Sequence, residues 1–184
     1  MVAPSRPRRS MLYMPASNPR ALEKAKTIPA DGIIFDLEDA VAPDQKPVAR
    51  SAAVTAVKSK SYGKREVLIR VNALETQWCA DDVAAAATSG ADAIVLPKVN
   101  NARELQEVAK MLDRAAAPPT LLIWAMAETP RGVLADCIET LARADRSGLD
   151  PADYDASSLS ARWAALKAAP PSAVDAFSLS LIHI

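Results

Sequence analysis

The sequence predicts an α/β fold of the (β/α)8 TIM-barrel type, but an incomplete one with about five βα units and an atypical tail. Short apolar runs alternate with segments of helical spacing, which is the order of βαβ units in a parallel sheet. Most of the apolar runs end in a charged residue, and a βα-barrel builds its active site from those strand ends. The chain has only five glycines, and no Gly-rich phosphate loop follows the first run, which argues against a flavodoxin-like or Rossmann sheet.

Size and composition limit what this fold can be. The 184 residues can form a domain with a substantial core, but a complete barrel needs about 250 residues. Acidic and basic residues balance at 22 each, and no apolar run is long enough to span a membrane, so neither a nucleic-acid nor a membrane partner is expected. Two unpatterned cysteines indicate a reducing, cytoplasmic setting. The single histidine, His183, lies next to the C-terminus, which argues against His-based catalysis.

The first unit begins with an apolar run over residues 9–15, which predicts a strand that ends at Pro15. Asn18 and Pro19 predict a turn and the start of a helix. We expect this short helix over residues 20–26, before the loop that leads into the second strand.

The second strand carries the strongest functional signal of the chain. Residues 32–35 are apolar, and Asp36, Glu38 and Asp39 follow directly. Three carboxylates so close together repel one another unless a cation, most simply a metal ion, compensates them. The alternative is an N-cap cluster that opens the next helix. This stretch alone leaves both interpretations open.

The third unit combines a helix over residues 48–60, with Val54 and Val57 as core candidates, and a strand over residues 66–72. Arg70 is the charged residue near the end of this strand, on the opposite side from the apolar residue that follows it. One interpretation is a solvated edge residue. An arginine at the carboxyl end of a buried strand is better explained as an anion ligand.

Two further units continue the pattern. A helix over residues 78–89 stops at Gly90, and the fourth strand, residues 92–98, ends at Lys98. The next helix is expected over residues 102–115. Its apolar face consists of Leu105, Val108, Ala109 and Leu112.

The fifth strand covers residues 120–127 and ends at Glu128, and a helix is predicted over residues 130–144. After this helix the alternation stops, and no sixth acid-tipped strand follows. We therefore divide the chain into a partial barrel domain, residues 1–144, and an atypical C-terminal tail, residues 145–184. Poor order and a truncated or frame-shifted end are both open interpretations of this tail.

Five segments occur in order at βα spacing and resemble one known family. The segments are Ser10-Met11-Leu12-Tyr13-Met14-Pro15-Ala16-Ser17-Asn18-Pro19, Phe35-Asp36-Leu37-Glu38-Asp39-Ala40-Val41, Ile69-Arg70-Val71-Asn72-Ala73, Leu96-Pro97-Lys98 and Glu128-Thr129-Pro130-Arg131-Gly132. With these segments the chain resembles the citrate lyase beta-subunit-like branch of the HpcH/HpaI aldolase superfamily, which includes malyl-CoA and citramalyl-CoA lyases. The resemblance covers about residues 9 to 143.

The resemblance implies a Mg²⁺-dependent C–C lyase, with Mn²⁺ as a possible substitute, that acts on a 3-hydroxyacyl-CoA such as malyl-CoA, citramalyl-CoA or citryl-CoA. The products would be an acyl-CoA and a 2-oxo acid. A divalent metal would stabilise the charge that develops when the bond beta to the thioester breaks. The family also tends to form homo-oligomers, so a trimer or hexamer is expected of the full-length protein.

The same resemblance implies roles for individual residues. Glu128 matches a metal ligand, although an acid before Pro130 can also be a first-turn helix acid. Arg70 matches the arginine that holds substrate or keto acid oxygens. Glu38 and Asp39 match acids near the metal, and Asp36 is expected to support them.

Two other segments are given roles in the same way. The loop that borders CoA in the family corresponds to Pro15, Ala16, Ser17 and Asn18. Lys98 is expected either to shape the electrostatics of the pocket or to form a plain ion pair.

One departure from the family concerns the second metal ligand, an aspartate at the tip of the sixth strand. The corresponding interval offers Asp153 and Asp155, without the apolar strand that should precede them. Two alternatives to the lyase therefore remain. One is an inactive fragment or a CoA- or keto-acid-binding module without a complete barrel. The other is a metal-dependent aldolase that acts on free hydroxy-keto acids.

Overall fold

Strands and helices alternate through the residues that the computed structural model describes, 8–133. The elements, in chain order, are β1 Met11–Pro15, α1 Pro19–Ala25, β2 Gly32–Asp36, a 3₁₀ turn Pro43–Gln45, α2 Lys46–Lys58, β3 Glu66–Arg70, α3 Cys79–Ala87, β4 Ala93–Leu96, α4 Ala102–Arg114, β5 Leu122–Ala125 and α5 Pro130–Val133. This order confirms the predicted α/β class.

The five strands form one sheet in the order β1-β2-β3-β4-β5. The first three pairs, β1 with β2, β2 with β3 and β3 with β4, are parallel. Each strand thus lies beside the next strand along the chain. A Rossmann sheet reverses its strand order at a switch point, whereas a βα-barrel keeps the sequential order seen here.

The register brings the carboxyl ends of neighbouring strands to the same level. Pro15 lies opposite Asp36, Asp36 opposite Arg70, and Arg70 opposite Val95. Paired residues at one level place their side chains on the same face of a sheet. Asp36 and Arg70 are therefore neighbours by register.

The opposite face of the sheet packs against the helical layer. Phe35, which precedes Asp36, contacts Tyr62 edge to face, with ring centroids 5.1 Å apart. The Tyr62 hydroxyl lies in the core and donates to the carbonyl of Leu22 in α1. This contact fixes the loop after α2 against α1 and β2.

Several elements begin or end within a few residues of their predicted positions. β3 ends at Arg70 rather than at residue 72, and α2 begins at Lys46 rather than at residue 48. Pro47 fits the first turn of α2 because the amide groups there have no partner within the helix. Gly90 follows α3 with a φ of 87°, the left-handed conformation that suits a helix stop. The predicted helix over residues 130–144 is described only as far as Val133.

The predicted apolar faces are largely buried. The side chains of α4 at Leu105, Val108 and Leu112 are buried. In α2, Val57 is also buried, whereas Val54 is only half-buried. Among residues 8–133, no helix has the length and apolar character needed to cross a membrane.

The described residues divide into two compact units. The first comprises residues 8–97 and 107–124, and the second comprises residues 98–106 and 125–133. The predicted tail over residues 145–184 lies outside the described residues, so the boundary at residue 144 stays a prediction.

Candidate functional site

A buried ion pair joins the last residues of two neighbouring strands in the first unit. Arg70 Nε donates to Asp36 Oδ1 at 2.7 Å, and Arg70 Nη2 donates to Asp36 Oδ2 at 2.6 Å. Only 8% of the Arg70 side chain and 1% of the Asp36 side chain are exposed. This bidentate, charge-assisted arrangement gives the planar guanidinium a fixed orientation.

Glu38 approaches the same guanidinium from the loop after β2. Its Oε2 lies 3.1 Å from Arg70 Nη1, and its side chain is buried. The Asp36 carboxylate also shapes this loop, because it accepts the backbone N–H groups of Glu38 at 2.8 Å and Ala40 at 3.1 Å. Asp36 therefore orients both the arginine and the segment that carries Glu38. Asp39, in contrast, is exposed at the surface.

Arg70 supplies the positive charge that the acidic cluster requires. Burial disfavours the charged guanidinium, but its hydrogen bonds to Asp36 and the charges of Asp36 and Glu38 outweigh burial and raise the pKa of Arg70. The guanidinium also lies over the Tyr13 ring, 4.9 Å from its centroid. In the described part of the chain, no three His, Cys, Asp or Glu side chains are grouped as metal ligands. The compensating cation for Asp36 and Glu38 is thus an arginine within the protein.

A buried lysine anchors the loop that carries these acids. Lys46, the first residue of α2, donates from Nζ to the carbonyl oxygens of Leu37 at 2.8 Å and Glu38 at 2.6 Å. A third bond runs to Asn72 Oδ1 at 2.7 Å. Desolvation lowers the pKa of Lys46, although the nearby charges of Asp36, Glu38, Asp82 and Asp39 oppose this change.

Asn72 extends these contacts from β3 to α3. Its Nδ2 donates to the Leu37 carbonyl at 3.0 Å and to Asp82 Oδ2 at 2.6 Å, and its backbone N–H donates to the same Oδ2 at 3.0 Å. Asp82 Oδ1 accepts from Arg50 Nε at 2.7 Å. The result is a buried polar network that connects the loop after β2, the end of β3, α2 and α3.

The loop after β1 is fixed by backbone and cap hydrogen bonds. Ala16 donates its N–H to the Asp36 carbonyl at 3.0 Å. The Asn18 side chain caps α1 by accepting the N–H groups of Arg20 and Ala21. The predicted CoA-border residues thus lie at the carboxyl end of β1 and directly after it, namely Pro15, Ala16, Ser17 and Asn18. Their contact with CoA stays a prediction.

Glu128 and Lys98 meet in the second unit. The backbone N–H of Lys98 donates to Glu128 Oε1 at 2.9 Å, and Glu128 is exposed at the surface. Lys98 has a φ of 55°, a left-handed conformation that is costly for a residue with a side chain. Such backbone strain is concentrated at functional sites in proteins.

Thr129, rather than Glu128, makes the helix-cap hydrogen bond at the start of α5. Thr129 Oγ1 accepts the N–H of Gly132 at 2.9 Å and donates to Asn100 Oδ1 at 2.8 Å. A Cβ atom at Gly132 would overlap the carbonyl oxygen of Val99, so this position requires glycine. Thr129 therefore caps the turn that follows, and Glu128 is bound by the Lys98 backbone.

The HpcH/HpaI aldolase/citrate lyase family model matches residues 9–177 of this sequence. This match includes most of the chain. The chain belongs to the HpcH/HpaI aldolase/citrate lyase family. The match continues beyond residue 143, where the sequence resemblance described above ends.

Curated relatives in the family act on CoA esters or citrate. The chain is 47% identical over 134 residues to a (3S)-malyl-CoA thioesterase from Cereibacter sphaeroides, an alignment that covers 73% of this chain and 45% of the relative. It is 34% identical over 134 residues to the citrate lyase subunit beta of Escherichia coli, covering 70% of this chain and 44% of the relative. The chain thus spans less than half the length of these two relatives.

Solved structures of the family have the same partial coverage. A citrate lyase beta subunit from Mycobacterium tuberculosis complexed with oxaloacetate and magnesium aligns with a TM-score of 0.55 and 32% identity, covering 75% of this chain and 56% of that chain. A protein from the same organism in complex with magnesium, acetoacetate and coenzyme A aligns with a TM-score of 0.54 and 32% identity, covering 76% of this chain and 47% of that chain.

The structure brings some of the residues singled out in the sequence into contact within each unit. Arg70, Asp36 and Glu38 come together in the first unit, and Glu128 meets the Lys98 backbone in the second. Asp153 and Asp155 lie outside the described residues, so neither is tested as the second metal ligand.

Sequence reasoning assigned no role to Lys46 or Asp82. Asp82 had a detectable signal, because it shares the buried face of α3 with Cys79, Val83 and Ala86 at helical spacing. A charged residue on an apolar helix face requires a partner, which is Arg50 together with Asn72. Lys46 gave no comparable signal, since two of its three partners are backbone carbonyls, which no sequence pattern marks.

Proposed function

We propose that this protein cleaves a C–C bond of a 3-hydroxyacyl-CoA such as malyl-CoA, citramalyl-CoA or citryl-CoA, with release of an acyl-CoA and a 2-oxo acid. The observation that best supports this proposal is the buried Arg70 guanidinium at the carboxyl end of β3, oriented by Asp36 and flanked by Glu38. Relatives named for malyl-CoA and citrate lyase support the same substrate class.

The proposed role of Arg70 is to hold the oxygens of the 2-oxo acid half of the substrate. A guanidinium matches a carboxylate in a planar, bidentate way. Asp36 already binds Nε and Nη2, so substrate oxygens would approach through Nη1. Nη1 carries two N–H groups, and its contact with Glu38 is the longest of the three at 3.1 Å, so a substrate oxygen can bind to Nη1 beside Glu38.

Magnesium is the proposed cofactor, with manganese as an alternative. Glu128 is the proposed ligand because it is exposed at the surface. The hydrogen bond from the Lys98 N–H uses Oε1, one of the two carboxylate oxygens. Mg²⁺ binds through one or two carboxylates and keeps several waters, so these oxygen donors fit the ion. A bound divalent cation supplies charge stabilisation for the enolate that bond cleavage leaves. Glu38 and Asp39 are proposed to act near the ion through water, and Asp153 or Asp155 to supply the second ligand.

Other aspects of the full-length protein remain part of the proposal. The loop residues Pro15, Ala16, Ser17 and Asn18 are proposed to border CoA. Lys98 is proposed either to contribute positive charge to the pocket or to act only as an ion-pair partner. A cytoplasmic location and a trimeric or hexameric assembly are proposed from the family.

A second activity is favoured by one observation, the 47% identity to a (3S)-malyl-CoA thioesterase. In that reaction water cleaves the thioester and leaves a hydroxy acid and free CoA, whereas the lyase leaves the thioester intact in the acyl-CoA product. Each reaction therefore has a diagnostic product, which is a free thiol for the thioesterase and a 2-oxo acid for the lyase.

The test is to incubate the 184-residue chain with malyl-CoA or citramalyl-CoA and Mg²⁺ and to assay both products. A 2-oxo acid trapped with phenylhydrazine indicates the lyase, and a free thiol without a 2-oxo acid indicates the thioesterase. A folded chain that forms neither product would support the alternative of an inactive fragment or binding module. Release of an aldehyde together with a shorter 2-oxo acid from free hydroxy-keto acids, without product from either thioester, would support the aldolase alternative.

A further inference from the structure

The Lys46 ammonium binds the backbone of the loop after β2, the loop that carries Glu38 and Asp39. It donates to the carbonyl oxygens of two consecutive residues, Leu37 and Glu38. Its third bond, to Asn72 Oδ1, fixes this loop to the segment two residues after Arg70. Lys46 thus bridges the two segments whose side chains form the Arg70–Glu38 contact.

The surroundings of Lys46 reinforce its position. The ammonium lies 5.3 Å from the centre of the Trp78 ring, and only 5% of the residue is exposed. Asn72, its partner, is held by Asp82, which is held in turn by Arg50. An ammonium with all three protons bound in a buried site has one orientation.

We propose that Lys46 is a positioning residue that fixes the loop after β2 so that the Glu38 carboxylate lies against Arg70. This role deepens the proposed function and rests on it, because the Arg70–Glu38 contact is the place where substrate oxygens are proposed to bind. Lys46 acts through Glu38 and Asn72 and has no contact with the reacting atoms.

A general structural role makes a different prediction from a positioning role. A structural lysine would stabilise the whole first unit, and its loss would lower the stability of every strand alike. A positioning lysine would act on the loop itself, where the N–H groups of Glu38 and Ala40 bind Asp36 and the N–H of Val41 binds the Glu38 carbonyl. These three amides report directly on the order of the loop.

The chain offers a matched control in Arg65. This cation also binds several backbone carbonyls, those of Tyr62, Ala25, Ile28 and Lys26, but it adjoins the amino end of β3 and none of these carbonyls belongs to the loop after β2. Arg65→Met therefore removes a comparable set of charge-assisted hydrogen bonds without touching the loop after β2. Lys46→Met and Arg65→Met can be compared at similar losses of melting temperature.

The first experiment measures amide hydrogen exchange by NMR in the wild-type chain and in both variants. We expect Lys46→Met to speed exchange at Glu38, Ala40 and Val41 by at least about 10-fold relative to the amides of β2, and Arg65→Met to leave this ratio unchanged. Lys46→Gln, which keeps amide donors, should give an intermediate ratio and replaces Lys46→Met if the latter does not fold. An unchanged ratio in both Lys46 variants would overturn the positioning role.

The second experiment measures kcat/KM for the thioester. Loss of a residue that orients a functional group typically costs about 10- to 100-fold, and we expect a loss of this size in Lys46→Met at a temperature where it is fully folded. Equal values for Lys46→Met and Arg65→Met at matched stability would overturn the role in function. If the wild-type chain turns over no thioester, the proposed function fails, while the exchange ratio still decides whether Lys46 fixes the loop.

Discussion

Asp36 and Arg70 lie opposite each other at the ends of two adjacent parallel strands and form two hydrogen bonds of 2.7 and 2.6 Å. The same carboxylate accepts two backbone N–H groups from the loop that carries Glu38. One buried acid therefore determines the orientation of the guanidinium and the course of the loop beside it. This relationship, together with the exposed position of Asp39, explains how three acids can cluster at the end of one buried strand.

Asp36→Asn should destabilise the fold strongly. It leaves the buried Arg70 charge without its bidentate partner, and breaking a buried pair from one side costs roughly 3–5 kcal/mol. Urea denaturation monitored by circular dichroism would measure the change. Glu23→Gln is the control, because Glu23, with 72% of its side chain exposed, pairs with Lys26 at the surface, where ion pairs contribute little. Similar effects of the two substitutions would contradict the structural importance of the Asp36–Arg70 pair.

Cys79 should be inert in the folded protein. Burial is the main reason that the pKa of this thiol rises to about 12 from its ordinary value of 9.0, and the thiolate is the reactive form. Iodoacetamide at pH 8, followed by mass mapping of the peptide that contains Cys79, should show little alkylation, in contrast to the same reaction in urea. Rapid native alkylation at this residue would contradict its burial.

The raised pKa of Cys79 also predicts a pH dependence of stability. Above pH 9 the unfolded thiol loses its proton, while the folded thiol keeps it up to about pH 12. The free energy of unfolding contributed by this group is therefore fully present below pH 9 and declines as the pH rises toward 12. Cys79→Ala should remove this part of the decline in denaturation curves measured across that range.

Glu128→Gln should abolish Mg²⁺ binding and activity with little change in fold. The amide oxygen can still accept the Lys98 N–H, so the local hydrogen bond is retained while the negative charge is lost. Isothermal titration calorimetry with Mg²⁺ would measure the affinity, and circular dichroism would check the fold. Glu75→Gln at an exposed position is the matched control. Unchanged Mg²⁺ affinity in Glu128→Gln would count against the metal assignment.

The fold was predictable because its signals are local and repeat along the chain. Each apolar run is bounded by turn residues, and each helix has a periodic apolar face such as Leu105, Val108 and Leu112. The strand ends were less accurate, as at β3, where Val71 continues to bind Val95 while Asn72 turns to Asp82. Such side-chain competition for backbone groups depends on tertiary contacts that sequence periodicity does not encode.

The candidate site was predictable in its residue types but not in its pairing. Arg70 and the three acids stood out as charges at the ends of apolar strands, yet only the register shows that Asp36 is the acid that pairs with Arg70. The role of Lys46 depends on the carbonyl groups of Leu37 and Glu38, which every residue possesses. The sequence therefore carried no mark of this contact.

The formation of a 2-oxo acid from malyl-CoA or citramalyl-CoA, compared between the wild-type chain and Arg70→Met, tests the central claim most directly. The account predicts Mg²⁺-dependent release of the 2-oxo acid by the wild-type chain and a loss of at least about 100-fold in kcat/KM for Arg70→Met, because an oriented charged donor typically contributes 10²- to 10³-fold. A folded wild-type chain that releases no 2-oxo acid, or an Arg70→Met variant with unchanged kcat/KM, would contradict it.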